Sequence, residues 1–143
     1  MFEKVELVKG SKELITQYLN QLIEIDRKCF THLSWDSDAF LCDLSDKFEL
    51  SKLIFEDSIL IGYTILSRKE MTIHIHKFVI KSEFSSKGYG KFVMQSIQDK
   101  LNNQKLSLKV DKSNIKAIIF YLKKKFIFTS SMNDYYIMEY GQE

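Results

Sequence analysis

The apolar positions of this chain keep two different rhythms. Met1 to Leu7 alternates weakly, as an edge strand does, and Gly10 and Ser11 then mark a turn and a helix start. Leu14, Ile15, Tyr18, Leu19, Leu22, Ile23 and Ile25 recur at a spacing near 3.6, which predicts a helix with one buried face. Cys29 to Trp35 breaks that rhythm, and a shorter helix is predicted from Asp36 or Ser37 to about Leu44, capped by the polar residue. Lys47–Phe55 and Ile59–Arg68 are apolar, β-branched runs around Glu56, Asp57 and Ser58, which reads as a β-hairpin, with Met71–Ile80 as a third strand. The remainder predicts a helix over Gly90–Asn102, a strand over Lys105–Val110, a helix over Asn114–Lys124, and closing strands over Phe126–Ser130 and Tyr135–Tyr140. No repeat, linker or low-complexity stretch divides the chain, so residues 1–143 are read as one domain.

Composition narrows the classes. The 143 residues are 45% hydrophobic, enough for a full core. A net charge of +2, from 21 basic and 19 acidic residues spread along the sequence, makes no electrostatic case for nucleic acid. Apolar stretches fall far short of the ~20 residues that cross a bilayer, and no signal peptide is visible, so no membrane partner is expected and a cytoplasmic location is. Cys29 and Cys42 form no CxxC pattern and are expected to be reduced thiols without a role.

The chemistry concentrates after the third strand, in VIKSEFSSKGYG, Val79 to Gly90. A turn with Gly88 and Gly90 ahead of a helix leaves backbone N–H groups unpaired and pointing one way, where the dipole favours negative charge, so it can cradle a pyrophosphate. The bland alternative is a loop glycine before an ordinary helix. Neither GxGxxG nor GxxxxGK[ST] is present, because Val93 stands at the third glycine of the first. His74 and His76 share one strand face, opposite Ile73 and Ile75. They either fill space and hydrogen-bond, or move protons; no cysteine or carboxylate cluster adjoins them to make a metal site.

In Ser85, Ser86, Lys87, Gly88, Tyr89, Gly90 the chain resembles the Gcn5-related N-acetyltransferase (GNAT) superfamily, whose acetyl-CoA motif reads [QR]xxGx[GA]. Asn114, Ala117, Phe120, Tyr121 and Phe126 resemble its NxxAxxxYxxxGF signature in register. Two positions depart: Ser85 replaces the long polar residue, which weakens cofactor binding, and Lys125 replaces the glycine before the final Phe, altering a helix end at a cost of ~1 kcal/mol. The resemblance implies an α/β (α+β) single-domain fold, a mixed, mostly antiparallel, twisted sheet of roughly six or seven strands flanked by about four helices. It also implies acetyl-CoA as donor, held by Ser85, Ser86, Lys87, Gly88, Tyr89, Gly90, Lys91 and Asn114, and a strand bulge that frees a backbone N–H among Phe78, Val79 and Ile80 for the acetyl oxygen. Tyr121 is then the acid toward the CoA sulfur. The His74–x–His76 pair is similar to the proton relay of arylalkylamine N-acetyltransferases.

On the acceptor side the same resemblance assigns Cys29–Phe40, with Phe30, His32 and Trp35 as pocket residues. Its aromatic content suits an apolar acceptor; core packing explains it equally. A ribosomal-protein N-terminal acetyltransferase segment is also similar, but Lys109 stands where those enzymes carry a glutamate. The expected activity is acetyl transfer to the primary amine of a small molecule. The alternatives are a protein or peptide acetyltransferase and a non-catalytic acyl-CoA-binding module, the chain being a monomer or a homodimer that pairs through its closing strands.

Overall fold

The computed structural model describes residues 1–30 and 33–141. Strands β1 (Val5–Lys9), β2 (Lys52–Glu56), β3 (Ile59–Lys69), β4 (Thr72–Ile80), β5 (Lys105–Asp111), β6 (Ile127–Ser131) and β7 (Tyr135–Tyr140) form one seven-stranded sheet in the order β1-β2-β3-β4-β5-β7-β6. Every neighbouring pair is antiparallel except β4–β5. A parallel pair needs a crossover, and α5 (Tyr89–Asp99) supplies it. Helices α1 (Lys12–Gln17), α2 (Leu19–Cys29), α3 (Ser37–Leu41) and α4 (Lys47–Leu50) precede β2, and α6 (Ile115–Lys123) joins β5 to β6.

Each sheet face has its own core. Ile73, Ile75 and Leu108 pack with Val93, Met94 and Ile118 of α5 and α6, whereas Leu53, Tyr63 and Ile65 pack with Ile15, Leu22 and Phe40 of α1 to α3. The expected mixed sheet is therefore present, with more helices than the rhythm predicted. The first long helix is broken at Tyr18, where the Thr16 hydroxyl bonds back to the Lys12 carbonyl at 2.7 Å, a contact that bends helices. Lys47–Leu50 is a helical turn and not the start of a strand. Phe48 and Leu50 alternate as in a strand, but the buried Lys47, bonded to the carbonyls at the end of α3, holds the segment as a helical turn. The fifth helix ends at Asp99, three residues before the predicted Asn102. The closing strand β7 lies between β5 and β6, so Tyr135, Tyr136 and Tyr140 stand in an interior strand; of the closing strands only β6 has a free edge, and β1, over the stretch expected to be an edge strand, is the edge at the other end.

Candidate active site

The site begins with a register slip. Ile65 stands opposite Lys77 and Leu66 opposite Ile75, leaving His76 as a bulged residue of β4 without a cross-strand partner. Below the bulge, Ile73 and Ile75 point to the α5 side; above it Phe78 does so, while Lys77 joins His76 on the opposite face. Pairing of β4 with β5 ends at Ile75 and Leu108, so the strands diverge and open a slot beside Phe78, Val79 and Ile80. The Lys81 N–H donates to the Ile61 carbonyl at 2.8 Å. Strand amides alternate, so Val79 also faces β3, and Phe78 and Ile80 present their N–H groups to the slot.

The glycine turn opens onto the same place. Gly88 is the N-cap of α5 at φ +92°, Ser86 is also left-handed at φ +60°, and the Phe92 N–H closes the first turn on the Gly88 carbonyl. Among the described residues the amides of Ser86 through Lys91 make no backbone hydrogen bond, which leaves them free to meet an anion. Ser85 turns its hydroxyl inward to the Ser82 carbonyl at 2.8 Å, so it offers the cradle no side-chain donor. Tyr89 fixes the loop from behind, its hydroxyl donating to the Glu56 carboxylate at 2.8 Å and its ring edge-on to Phe2 and Phe84. That brace was invisible in the sequence, where Glu56 reads as a turn residue.

A Cβ built on Gly90 would lie 3.4 Å from Phe120 and 3.8 Å from Phe78, which places the cradle against the slot and α6. Tyr121 follows, its ring 6.5 Å from that of Phe78 and 5.4 Å from that of Phe126. Burial pushes its phenol above the usual range, so it holds its proton at neutral pH. Asn114 caps α6 by accepting the Ala117 N–H at 3.2 Å. The far end is a Schellman motif: Lys125 takes φ +75°, its N–H donates to Leu122, and the Phe126 N–H donates to the Tyr121 carbonyl. Lys125 therefore adopts the conformation of the glycine it replaces.

His74 and His76 lie on the opposite sheet face from Tyr121, their rings 4.7 Å apart. His76 Nε2 meets Ser67 Oγ at 2.7 Å and His74 Nδ1 meets Ser107 Oγ at 2.9 Å. Burial, then His74 and Lys47, depress His76 to about 4, and burial with Lys109 and Lys69 lowers His74. Both are neutral at pH 7 and weaker bases than an ordinary histidine near ~6.5.

The segment after α2 is organised by charges that periodicity does not register. Asp26 is fully buried; it accepts the Trp35 N–H at 2.7 Å, the Tyr63 hydroxyl, and the Lys77 ammonium at 3.0 Å. Lys77 also donates to the Leu33 carbonyl at 2.8 Å and stands 3.8 Å over the Phe30 ring. Lys47, with no side-chain exposure, donates to the carbonyls of Ala39, Phe40 and Cys42 around the end of α3. Of the predicted pocket residues, Trp35 lies 6.1 Å from His76 and between both lysines, Phe30 sits under Lys77, and His32 falls outside the described residues. The available signal was an Asp on an apolar helix face and a Lys inside an apolar strand.

The described residues contain no helix long and apolar enough to cross a membrane. No curated protein matches the sequence significantly. Solved structures match over nearly the whole chain. Arabidopsis thaliana Naa50, bound to a bisubstrate analogue CoA-Ac-MVNAL, is 21% identical with a TM-score of 0.76, over 97% of this chain and 99% of that one. The PaiA N-acetyltransferase of Thermoplasma acidophilum, with coenzyme A, is 19% identical at 0.71, over 96% and 99%. The ribosomal-protein-S18-alanine N-acetyltransferase of Escherichia coli is 14% identical at 0.73, over 96% and 92%. At these identities the likeness is one of fold. The model of the acetyltransferase (GNAT) family matches residues 19–126, three quarters of the sequence; the chain belongs to that family, as an acetyl-CoA-dependent N-acetyltransferase.

Proposed function

We propose that this enzyme acetylates the primary amine of a small molecule, with Ser86–Lys91 holding the pyrophosphate, Tyr121 as acid and the His74–His76 pair as the route by which the acceptor loses its proton. The observation that carries the reading is the meeting of cradle, slot and Tyr121 around Phe78, with the histidines on the strand's other face. Acetyl-CoA, when bound, supplies an acetyl thioester. The Phe78 or Ile80 amide offers a hydrogen bond to a developing oxyanion, worth about 3 kcal/mol. The Tyr121 phenol carries the proton a leaving thiolate requires. An alkylamine with pKa near ~10.4 arrives mostly protonated; neutral His76, linked to Ser67 and next to His74, is the acceptor at hand. Its low basicity suits passing a proton onward better than storing it. Lys77 and Asp26 set the segment of Phe30 and Trp35 beside this route.

A peptide α-amine is the second reading, favoured by the whole-chain match to Naa50 and to the S18-alanine enzyme. CoA release across aralkylamines, polyamines and short peptides separates the two. Turnover of small amines supports the first, and turnover of peptides alone supports the second and overturns the first. On whichever acceptor turns over, Tyr121→Phe is expected to lower kcat about 100-fold with little change in KM, and an unchanged kcat removes Tyr121 as the acid. The cytoplasm, where acetyl-CoA is made available, is the expected location.

A further inference from the structure

A second concavity lies away from the slot, between α4 and the C-terminal half of α5. Its volume is about 250 Å³, and Leu7, Leu50, Leu66 and Leu101 give it an apolar floor. That is room for roughly eight waters, below the ~300–1,000 Å³ of sites for larger ligands. Its rim is cationic. Arg68 is held by Asp46 at 2.6 Å and Glu49 by Lys9 at 2.9 Å, but Lys52 and Lys100 have no ion-pair partner among the described residues. Lys52 also stands directly opposite Lys9 in the β1–β2 ladder, a like-charge arrangement that opposes pairing. Burial, then Lys100 and Lys9, lowers the Lys52 ammonium below the usual lysine range, with Glu49 of the same rim opposing the shift.

We infer that this trough is a binding site for a small aliphatic monocarboxylate, its tail on the leucines and its carboxylate between Lys52 and Lys100. An anion there gives both ammonium groups a partner, and the tail covers the apolar floor. Lys100 is the C-cap of α5, so the carbonyl end of that helix faces this region. That dipole end opposes a compact dianion such as phosphate more than a single negative charge carried on an apolar body. The site shares no residue with the cradle, slot or histidines, so it stands or falls separately from the acceptor assignment.

The test is calorimetric titration of the full chain with octanoate, octylamine and butyrate, each with and without saturating CoA, which competes for the slot. Saturable octanoate binding, butyrate weaker, octylamine silent, and at least tenfold weakening in the Lys52→Gln/Lys100→Gln double variant are expected, CoA affinity being unchanged. Three outcomes overturn the site: no octanoate binding at millimolar concentration, equal binding of octylamine, or equal binding by the double variant. Octanoate binding that disappears when CoA is present assigns the ligand to the slot and also overturns it.

Discussion

The two glycines of the cradle are expected to respond to alanine in opposite directions. Gly88 has φ +92°, where an L side chain costs about 1–2 kcal/mol. The added Cβ would stand 3.3 Å from the tip of the Phe2 ring, which can shift a few tenths of an ångström, so the backbone term dominates. Gly90 is inside the first turn of α5, and its Cβ would meet Phe120 and Phe78 at 3.4 and 3.8 Å, ordinary van der Waals contact. Alanine there gains up to about 1 kcal/mol of helix propensity, less in a first turn, so ~0.5 kcal/mol is expected. The two variants should therefore differ by about 2 kcal/mol. For a chain of this size that separates their melting temperatures by roughly 6 °C. Scanning calorimetry and urea unfolding of the cofactor-free protein measure it. Acetyl-CoA affinity should fall in Gly88→Ala, because its left-handed geometry aims the amides. A Gly88→Ala protein as stable as wild type, or less stability in Gly90→Ala than in Gly88→Ala, would refute the assignment of the strain to Gly88.

Other perturbations follow from the same geometry. Lys125→Gly relieves φ +75° at an exposed Schellman position and should raise stability by about 1 kcal/mol, or ~3 °C, without affecting turnover; a lowered Tm contradicts it. Lys47→Met strands the Ala39, Phe40 and Cys42 carbonyls, and a loss of about 3 kcal/mol in urea unfolding is expected, net of relieved ammonium desolvation; a neutral result means desolvation dominated. His76 titrates at about 4 folded and near ~6.5 unfolded, so the unfolded chain takes up more protons as pH falls through that window. Stability is complete above ~6.5 and is lost toward pH 4, by about 1–2 kcal/mol once partial exposure is discounted. His76→Gln should make urea-unfolding stability fall less steeply across that window, the remainder including His74, and an unaltered slope excludes His76 as a source.

Much of this protein was legible in the sequence because its signals are local. Hydrophobic period sets each long strand and the helices over Tyr89–Asp99 and Ile115–Lys123, since a face must be apolar to be buried. The turn before α5 was legible because its left-handed backbone favours glycine, and Gly88 marks it. Lys47–Leu50 was misread because Phe48 and Leu50 alternate as in a strand, while the contact that makes it helical, Lys47 with the end of α3, is tertiary. The edge position of β1 was legible in its weak alternation, whereas the insertion of β7 between β5 and β6 was not, since strand order is not written in any single strand.

What the sequence determined by itself was the glycine turn ahead of α5, the shared face of His74 and His76, and the family resemblance, each a matter of residue type at fixed spacing. Only the tertiary structure decided the rest: the bulge that turns Lys77 beside His76, its partner Asp26, fifty-one residues earlier, and the brace from Glu56 to Tyr89. A buried ammonium or carboxylate is tolerated only where distant groups converge on it, and that convergence is fixed by chain topology, which no local pattern encodes.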